Sequence, residues 1–430
     1  MFLTRRLLYV ALALSAVVVL LPAPATVAAC AGLLVVLAIL DVILASSPRA
    51  VTVERVPTSP VRLGQPTQAS TVLRNSGSRP LRGSSRDGWQ PSAGAQRPVL
   101  PLDLAAQGTQ QLIQPLRPSR RGDLSSEHLT LRCLGPMGLA GRQVTRRVQH
   151  TVRVLPPFRS RRHLPSKLQR LRELDGQTAV QIRGAGTEFD SLRDYVRGDD
   201  VRSIDWRATA RRQNLVVRTW RPERDRRVIL CLDSSRTSAA RIEDEPRLDT
   251  GMEAALLLGV LAASAGDRVD FLAFDRRVVS RARSAANGDF LHVMAEAMAP
   301  VEPELVEADF SQLPQHVRSV TSQRSLVVIL TSLESASLEE GLLPVLPMLS
   351  ADHLVMIAAV RDPDIRRRTL GRESAGDVYR AAAAEQATLE SDALKRQLSA
   401  FGVEVVDAEP HSLPPQVADA YIRLKASGRL

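Results

Sequence analysis

The sequence predicts a multidomain protein in which an N-terminal transmembrane helical hairpin precedes a small β-sandwich and a doubly wound α/β domain. Three patterns support this prediction: two apolar runs at the N-terminus, short β-type runs over residues 50–155, and alternating strand-like and helix-like segments after residue 225. The length of 430 residues suits two or three domains. The predicted boundaries are 1–48 for the hairpin, 49–158 for the basic β-sandwich-like domain, 159–224 for a linker with a charged segment, and 225–430 for the α/β domain.

The apolar runs at residues 7–21 and 25–45 predict two membrane-spanning helices separated by Pro22-Ala23-Pro24. The second run has the roughly 20 residues that a spanning helix needs, and the first reaches that length when residues 2–21 are counted. Arginines at positions 5, 6, 49 and 55 flank the pair. Because cytoplasmic flanks carry an excess of Lys and Arg, we expect both flanks and the soluble part on the cytoplasmic side.

Two alternatives compete with the hairpin. Residues 1–25 resemble a cleaved signal peptide, and the four residues Val27 to Cys30 resemble a bacterial lipoprotein cleavage box. The apolar run continues to Ala45, however, and a mature soluble domain rarely opens with such a stretch, so the hairpin is favoured. Asp41 lies near the cytoplasmic end of the second run, and we expect it at the membrane interface rather than in an intramembrane functional site.

Residues 50–155 are predicted to fold as a small β-sandwich. Short runs rich in Val, Thr and Leu, such as residues 51–56 and 148–154, are separated by turn signals such as Asn75-Ser76-Gly77. No helical period persists in this stretch. Residues 83–98, which are rich in Gly, Ser and Pro, are expected to form a loop.

The net charge of +11 is concentrated in one part of the chain. Residues 49–172 contain 22 Lys or Arg against five Asp or Glu, whereas residues 173–430 carry a net charge of −7. A nucleic-acid partner is therefore not expected, and an aromatic content of 3% also argues against base stacking. Since the basic stretch follows the predicted membrane segment directly, anionic lipid is its expected partner. The alternative is a solvated polar face of an arginine-rich protein.

The C-terminal half alternates apolar strands with helical segments, which predicts a mostly parallel, doubly wound sheet. The predicted strands are residues 227–232, 268–274, 325–330, 353–360 and 403–406. The predicted helices are residues 249–265, 288–299, 309–320, 338–349, 376–400 and 413–426. Ligands of such sheets bind at the carboxyl ends of the strands.

Residues 184–211 interleave acidic and basic side chains with apolar ones such as Trp206, which we expect to anchor the charged residues by packing against them. This spacing favours a structural ion-pair network over a catalytic site. The segment resembles the signature of the DUF58 family of bacterial proteins, G-x-E-F-x-x-x-R-x-Y-x-x-G-D-x-x-R-x-I-D-W followed by A-x-x-R. The matching residues are Gly186, Glu188, Phe189, Arg193, Tyr195, Gly198, Asp199, Arg202, Ile204, Asp205, Trp206, Ala208 and Arg211. The resemblance implies an uncharacterised protein of the bacterial cytoplasmic membrane that partners a MoxR-type AAA+ ATPase.

The first strand of the C-terminal half ends in Asp233-Ser234-Ser235-Arg236-Thr237. This pentapeptide resembles the D-x-S-x-S metal motif (MIDAS) of von Willebrand factor A domains, which implies a von Willebrand A-like fold and a Mg²⁺ held by Asp233, Ser235 and Thr237. Two departures make the motif degenerate: residues 304–309 lack the expected Thr, and Ser332 occupies the place of a second Asp, with Glu334 as a nearby substitute. The alternative is a carboxylate whose hydrogen bonds are supplied by neighbouring loop groups.

An interaction protein is the leading functional hypothesis. The seven histidines form no H-x-x-x-H or H-E-x-x-H pair, and Walker and G-x-S-x-G motifs are absent, so no catalytic residue is assigned. One alternative is a hydrolase-like enzyme that uses acids of the 184–211 segment. The other is an externally exposed adhesion module with inverted topology. Cys30, Cys133 and Cys231 are expected to be buried free thiols.

Overall fold

The computed structural model describes residues 1–181, 188–196, 200–212, 214–221, 226–283, 289–334 and 338–430. The chain forms two compact units, Met1–Pro157 and Phe158–Leu430. Each unit has its own apolar core. The mixed α/β multidomain character predicted from the sequence is confirmed.

The first unit opens with two apolar helices, α1 (Arg5–Leu20) and α2 (Pro24–Leu44), which pack against each other. Pro24 begins α2, a position where its missing N–H costs nothing. Among the described residues, the helix that starts at Pro24 is the one long and apolar enough to cross a membrane. The 16 residues of α1 span about 24 Å at 1.5 Å per residue, less than a bilayer core of about 30 Å.

The rest of the first unit is a β domain of two sheets. Its strands are β1 (Phe2–Leu3), β2 (Val51–Arg55), β3 (Val61–Arg62), β4 (Thr67–Asn75), β5 (Leu81–Trp89), β6 (Val99–Leu104), β7 (Thr109–Leu116), β8 (Gly122–Leu134) and β9 (Ala140–Leu155). One sheet has the order β1-β9-β8-β5-β6, with β3 also pairing with β9, and the other has the order β2-β4-β7. Leu73 of the smaller sheet and Leu81 and Leu131 of the larger one belong to the same buried cluster, so the two sheets share one core.

The prediction of a loop over residues 83–98 is wrong for the first half of that range, because β5 continues to Trp89. The strand is central: it pairs with β6 on one side and β8 on the other. Gly83 is required for this pairing, since a Cβ built there would lie 1.9 Å from the carbonyl oxygen of Arg132. Backbone hydrogen bonds to two neighbours therefore override the weak strand propensity of the Gly and Ser residues.

The second unit begins with α3 (Leu164–Gln181) and the hairpin-like pair β10 (Glu188–Asp194) and β11 (Val216–Arg221), which is antiparallel. A short helix, α4 (Trp206–Arg212), lies between these strands in the chain. A small two-stranded ribbon, β13 (Arg241–Ile242) and β14 (Glu245–Pro246), follows later.

The main sheet of the second unit has six strands in the order β16-β15-β12-β17-β18-β19. The strands are β12 (Arg227–Asp233), β15 (Arg268–Phe274), β16 (Val278–Arg283), β17 (Leu326–Thr331), β18 (Leu354–Val360) and β19 (Glu404–Ala408). All neighbours are parallel except β15 and β16. The helices are α5 (Arg247–Ser264), α6 (Phe290–Met298), α7 (Leu313–Val320), α8 (Leu346–Asp352), α9 (Pro363–Arg368), α10 (Ala375–Ala400) and α11 (Leu413–Ala426).

Helices cover both faces of this sheet. Ile229 and Cys231 of β12 point into a cluster with Leu313 of α7, Leu346 of α8 and Leu398 of α10. On the other side α5 packs on β12, β15 and β18, and α11 packs on α5 and β19. With both faces buried, the strands consist of almost continuous apolar residues, which is why the sequence showed them clearly.

Candidate functional site at the carboxyl edge of the sheet

The candidate site lies where the strand order reverses. Strand β12 is first in the chain, and the next parallel strands add on opposite sides of it, β15 on one side and β17 on the other. The crevice at the carboxyl ends of β12 and β17 is thus the topological switch point, where open α/β sheets bind ligands. Asp233 is the last residue of β12, and Thr331 is the last residue of β17.

The Asp233 carboxylate is buried and accepts three hydrogen bonds. One oxygen, Oδ1, accepts the backbone N–H of Ser235 at 2.8 Å. The other, Oδ2, accepts the hydroxyl of Thr331 at 2.6 Å and that of Thr237 at 3.2 Å. Burial raises the pKa of Asp233 above its ordinary value, and the hydrogen bonds from Thr331, Ser235 and Thr237 oppose that rise.

The loop after β12 folds around its own aspartate. The Ser235 N–H bond to Asp233 closes an Asx turn, and the Ser238 hydroxyl donates to the Asp233 carbonyl oxygen at 2.7 Å. The predicted residues Asp233, Ser235 and Thr237 are thus brought together, with the Ser235 and Thr237 hydroxyls 3.4 Å apart.

Sequence reasoning missed Thr331 and considered Ser332 in its place. The Ser332 hydroxyl is buried and has no hydrogen-bond partner among the described residues. Glu334, considered as a substitute acid, instead accepts a hydrogen bond from Arg247 at 2.8 Å. The same guanidinium donates to the Thr237 carbonyl oxygen at 2.9 Å, so Arg247 links the two loops that flank the crevice.

A segment at residues 301–309 covers the Asp233 loop. The Glu304 N–H donates to the Ser234 carbonyl, and the Arg236 N–H donates to the Val306 carbonyl, both at 2.9 Å. An ion pair joins the side chains of Arg236 and Glu307. Leu305 is 83% exposed at the outside of this segment. The segment is thus tied to the Asp233 loop by two backbone hydrogen bonds and one ion pair.

The donors at this site are of the type that a hard cation prefers. Asp233, Ser235, Thr237 and Thr331 offer one carboxylate and three hydroxyls, all oxygen ligands suited to Mg²⁺. The charge they supply is small, however, because Asp233 is the one carboxylate bonded to these hydroxyls among the described contacts. Among the residues that the structure describes, no group of three or more His, Cys, Asp or Glu side chains converges on a point.

A second feature of interest is the segment between β10 and β11. Asp205 caps α4 by accepting the N–H groups of Arg207 and Ala208, each at 3.0 Å, and it pairs with Arg218 at 2.8 Å. These three contacts hold the pKa of Asp205 below its ordinary value, with the Ala208 N–H the largest cause. Asp205 therefore has a structural role here.

Comparison with known proteins places this segment and the sheet in one family. Residues 191–415, more than half of the chain, match the family described as "Protein of unknown function DUF58". The chain belongs to the DUF58 family. It is 27% identical over 160 residues to the uncharacterized protein Rv1480 of Mycobacterium tuberculosis and equally to the uncharacterized protein Mb1516 of Mycobacterium bovis. Those matches cover 37% of this chain and about half the length of each relative.

Two solved structures align with parts of the DUF58 protein at low TM-scores. The PapD-like domain 7 of human CEP192 is 12% identical, with a TM-score of 0.18, and covers 26% of this chain and 89% of that domain. A family 123 glycoside hydrolase from Clostridium perfringens is 7% identical, with a TM-score of 0.16, and covers 70% of this chain and 58% of the hydrolase. Neither TM-score indicates a shared overall fold.

The structure places part of the DUF58 signature. Glu188, Phe189 and Arg193 lie on β10, whereas Gly186, Gly198 and Asp199 lie outside the described residues. The Tyr195 N–H donates to the Leu215 carbonyl at 2.8 Å, and the Arg202 N–H donates to the Asp200 carboxylate at 2.9 Å. Arg211 is exposed on α4. The hydrolase hypothesis stays a prediction.

Trp206 of the DUF58 signature departs from expectation. The sequence predicted it as an apolar anchor packed under the charged residues, but it is 67% exposed, and nearby Val201 is 63% exposed. Trp206 is the first residue of α4, directly after the capping residue Asp205 and before the two capped N–H groups of Arg207 and Ala208. Trp and Arg are residue types that are enriched at protein interfaces in general.

Two of the three cysteines of the DUF58 protein are buried where a thiolate is disfavoured. Cys133 and Cys231 are buried free thiols, as predicted, while Cys30 on α2 is half-buried. Burial raises the pKa of Cys133 to about 11 and that of Cys231 further still.

Proposed function

We propose that this DUF58 protein is a membrane-anchored interaction protein whose α/β unit binds a partner at the carboxyl edge of the sheet. The observation that carries the proposal is the Asp233 cluster at the switch point, where Thr331 from β17 meets Asp233 from β12 at 2.6 Å. Such an edge is where this kind of sheet binds ligands. The von Willebrand A-like character of the unit belongs to the same proposal and is supported by the parallel sheet with its one antiparallel edge strand.

We infer further that both N-terminal helices lie in the membrane, with α2 spanning it and the shorter α1 packed beside α2, and that the soluble part lies in the cytoplasm. Helix α1 begins and α2 ends at one place, the loop before β9: the Thr4 N–H donates to the Leu139 carbonyl at 3.0 Å, and Asp41 accepts the Leu139 N–H at 2.7 Å. Two helices that pack together and share a base form a hairpin. The arginines beside this base, at positions 5, 6 and 49, support a cytoplasmic location.

We propose Mg²⁺ as a bridge between the Asp233 cluster and the partner. Asp233, Ser235 and Thr237, joined by Thr331, would hold the cation, and a carboxylate of the partner would complete its charge. When bound, Mg²⁺ would supply a positive centre that attracts an anionic side chain. Since Asp233 is the one carboxylate bonded to these hydroxyls in the described part of the chain, the proposal assigns a second carboxylate to the partner.

The proposed partner is a MoxR-type AAA+ ATPase, as the family resemblance implies. The experiment is capture of such an ATPase from the same organism by the full-length protein in detergent, with Mg²⁺ or with EDTA. Asp233→Asn is the test variant, and Asp352→Asn is its control, because Asp352 lies before β18 at the opposite edge of the sheet. We expect capture to fall with EDTA and with Asp233→Asn only. If neither EDTA nor Asp233→Asn changes the amount of ATPase captured, the cation bridge is overturned. If no ATPase is captured under any condition, the ATPase is overturned as the partner.

A further inference from the structure

The hairpin of β8 and β9 meets the ends of both apolar helices at its tip, residues 134–141. Strand β1, which precedes α1, pairs with Ala140 and Gly141. The Asp41 carboxylate accepts the N–H groups of Met137, Leu139 and Ala140 at 2.7–2.8 Å. The tip is thus held against the base of the helices by backbone contacts from two directions.

The outer side of this tip is apolar. Leu134 is 39% exposed, Met137 is 38% exposed, and Leu3 on the adjoining strand is 66% exposed. The loop's polar backbone is turned inward instead, onto Asp41 and onto the Thr4 hydroxyl, which donates to the Gly138 carbonyl at 2.6 Å. Exposed apolar side chains beside a spanning helix are the composition of a segment that enters the interfacial layer of a bilayer.

Exposed arginines surround the apolar tip. Arg5 and Arg6 open α1, Arg49 follows α2, and Arg132 lies on β8 beside the tip. Arg79 lies at the same end of the domain. The carbonyl of the next residue, Pro80, accepts a hydrogen bond at 2.8 Å from the hydroxyl of Ser46, which closely follows the end of α2.

The described ion pairs of the β-domain acids are made with arginines other than those at the rim. Asp87 pairs with Arg55 and Asp123 pairs with Arg153, each at 2.7 Å, away from the tip. Asp103 lies opposite Arg82 and pairs with that arginine at 3.4 Å. Asp41, the acid nearest the tip, is fully buried under three N–H donors. The surface that continues from the helix base is therefore apolar at its centre and cationic at its rim.

We propose that the tip around Met137 inserts into the headgroup layer of an anionic phospholipid leaflet, with the surrounding arginines on lipid phosphates. The bilayer is the occupant because the patch is continuous with a helix apolar enough to span it, and because its rim charge is opposite to that of anionic lipid. The proposal rests on α2 crossing the membrane. In this proposal the basic β domain contacts the lipid surface through one defined region, the tip, rather than through its overall positive charge.

The experiment uses the full-length protein in vesicles of phosphatidylglycerol or phosphatidylcholine. The background variant is Cys30→Ala, which removes the half-buried thiol, and the two remaining thiols stay unlabelled because they are buried. A fluorophore is attached through Met137→Cys, and quenching by nitroxide on the lipid headgroup or on the acyl chain is measured. Gln65→Cys, an exposed turn position outside the tip, is the matched control. Val35→Cys, 53% exposed in the middle of α2, reports whether that helix crosses the bilayer.

We expect the label at Met137 to be quenched by headgroup nitroxide, more strongly in phosphatidylglycerol, and the label at Gln65 to stay unquenched. The pair Arg79→Glu and Arg132→Glu should remove the difference between the two lipids while the Val35 label remains quenched from the acyl chain. A Met137 label that stays in water while the Val35 label is deep overturns the inference alone. If the Val35 label is also in water, the proposed membrane anchor fails as well.

Discussion

The carboxylate of Asp41, in the last turn of α2, accepts the backbone N–H of Leu139 at 2.7 Å, from a residue 98 positions later in the chain. Met137 and Ala140 donate to the same carboxylate. The side chain of Asp41, for which we expect a position near the membrane interface, is completely buried within the protein. A charge in this position is stabilised by the three N–H dipoles that converge on it. Asp41 therefore joins the apolar helix to the β domain.

Asp41→Ala should be strongly destabilising. The substitution leaves three buried or half-buried N–H groups without their acceptor, and hydrogen bonds to a charged group contribute about 1.5–3 kcal/mol each. We expect a loss of at least about 3 kcal/mol, since the loop can recover part of the cost by admitting water. The measurement is resistance of the first unit to proteolysis in detergent over a denaturant series.

Two variants make the Asp41 prediction specific. Asp41→Asn keeps one acceptor oxygen and should lie between wild type and Asp41→Ala. Asp103→Asn removes an acid whose pairing with Arg82 is exposed to solvent on both sides, so it should change stability little. An Asp41→Ala protein as protease-resistant as Asp103→Asn would contradict the assigned role.

Thr331 and Ser332 are adjacent in the chain, but their substitutions should change the free energy of unfolding differently. Thr331→Val removes the 2.6 Å hydrogen bond to the buried Asp233 carboxylate, and we expect a loss of about 1–3 kcal/mol. Ser332→Ala removes a buried hydroxyl with no hydrogen-bond partner among the described residues, so it should be neutral or stabilising. Urea unfolding of both variants tests the difference, and equal losses would show that the Asp233 contacts are not the ones described.

The pH dependence of stability provides a separate test of Asp233. Burial raises the folded-state pKa of Asp233 above its ordinary value of 3.8, so between 3.8 and the folded pKa the folded state binds more protons than the unfolded state. Stability from this group therefore rises as the pH falls through that window. Relative to Asp233→Asn, the wild type should gain unfolding free energy on acidification from neutral pH towards 4. A constant difference would mean that the pKa of Asp233 is not raised.

The second half of the fold was largely predictable because its strands are buried on both faces. Strand β15 has the bounds predicted from its apolar run, and β12 is one residue longer than expected. Helix α3 fell within a predicted linker although Leu164, Leu168, Leu171 and Leu174 recur at helical spacing. The edge strand β16 was missed since its alternation of Val, Ser and Arg is short and half polar.

The candidate site could be predicted only in its local part. Asp233, Ser235 and Thr237 lie within five residues, and a strand followed by Asp and hydroxyls indicates a switch-point loop. Thr331 contacts Asp233 because β12 and β17 are neighbours in register, with Leu232 opposite Leu330. That adjacency depends on strand order, which no local pattern encodes. The contact between Asp41 and Leu139 could not be predicted from the sequence for the same reason.

Trp206 provides the last prediction, which concerns the surface of the DUF58 signature. Since the side chain is 67% exposed, Trp206→Ala should leave urea unfolding within about 0.5 kcal/mol of wild type. Capture of the MoxR-type ATPase should nevertheless weaken by tenfold or more, about 1.4 kcal/mol, because interface Trp residues dominate binding energy. Tyr379→Ala is the matched control, an aromatic that is 78% exposed on α10. Weakening by both variants alike would indicate nonspecific apolar contact, and loss of stability in Trp206→Ala would show that the indole packs within the protein.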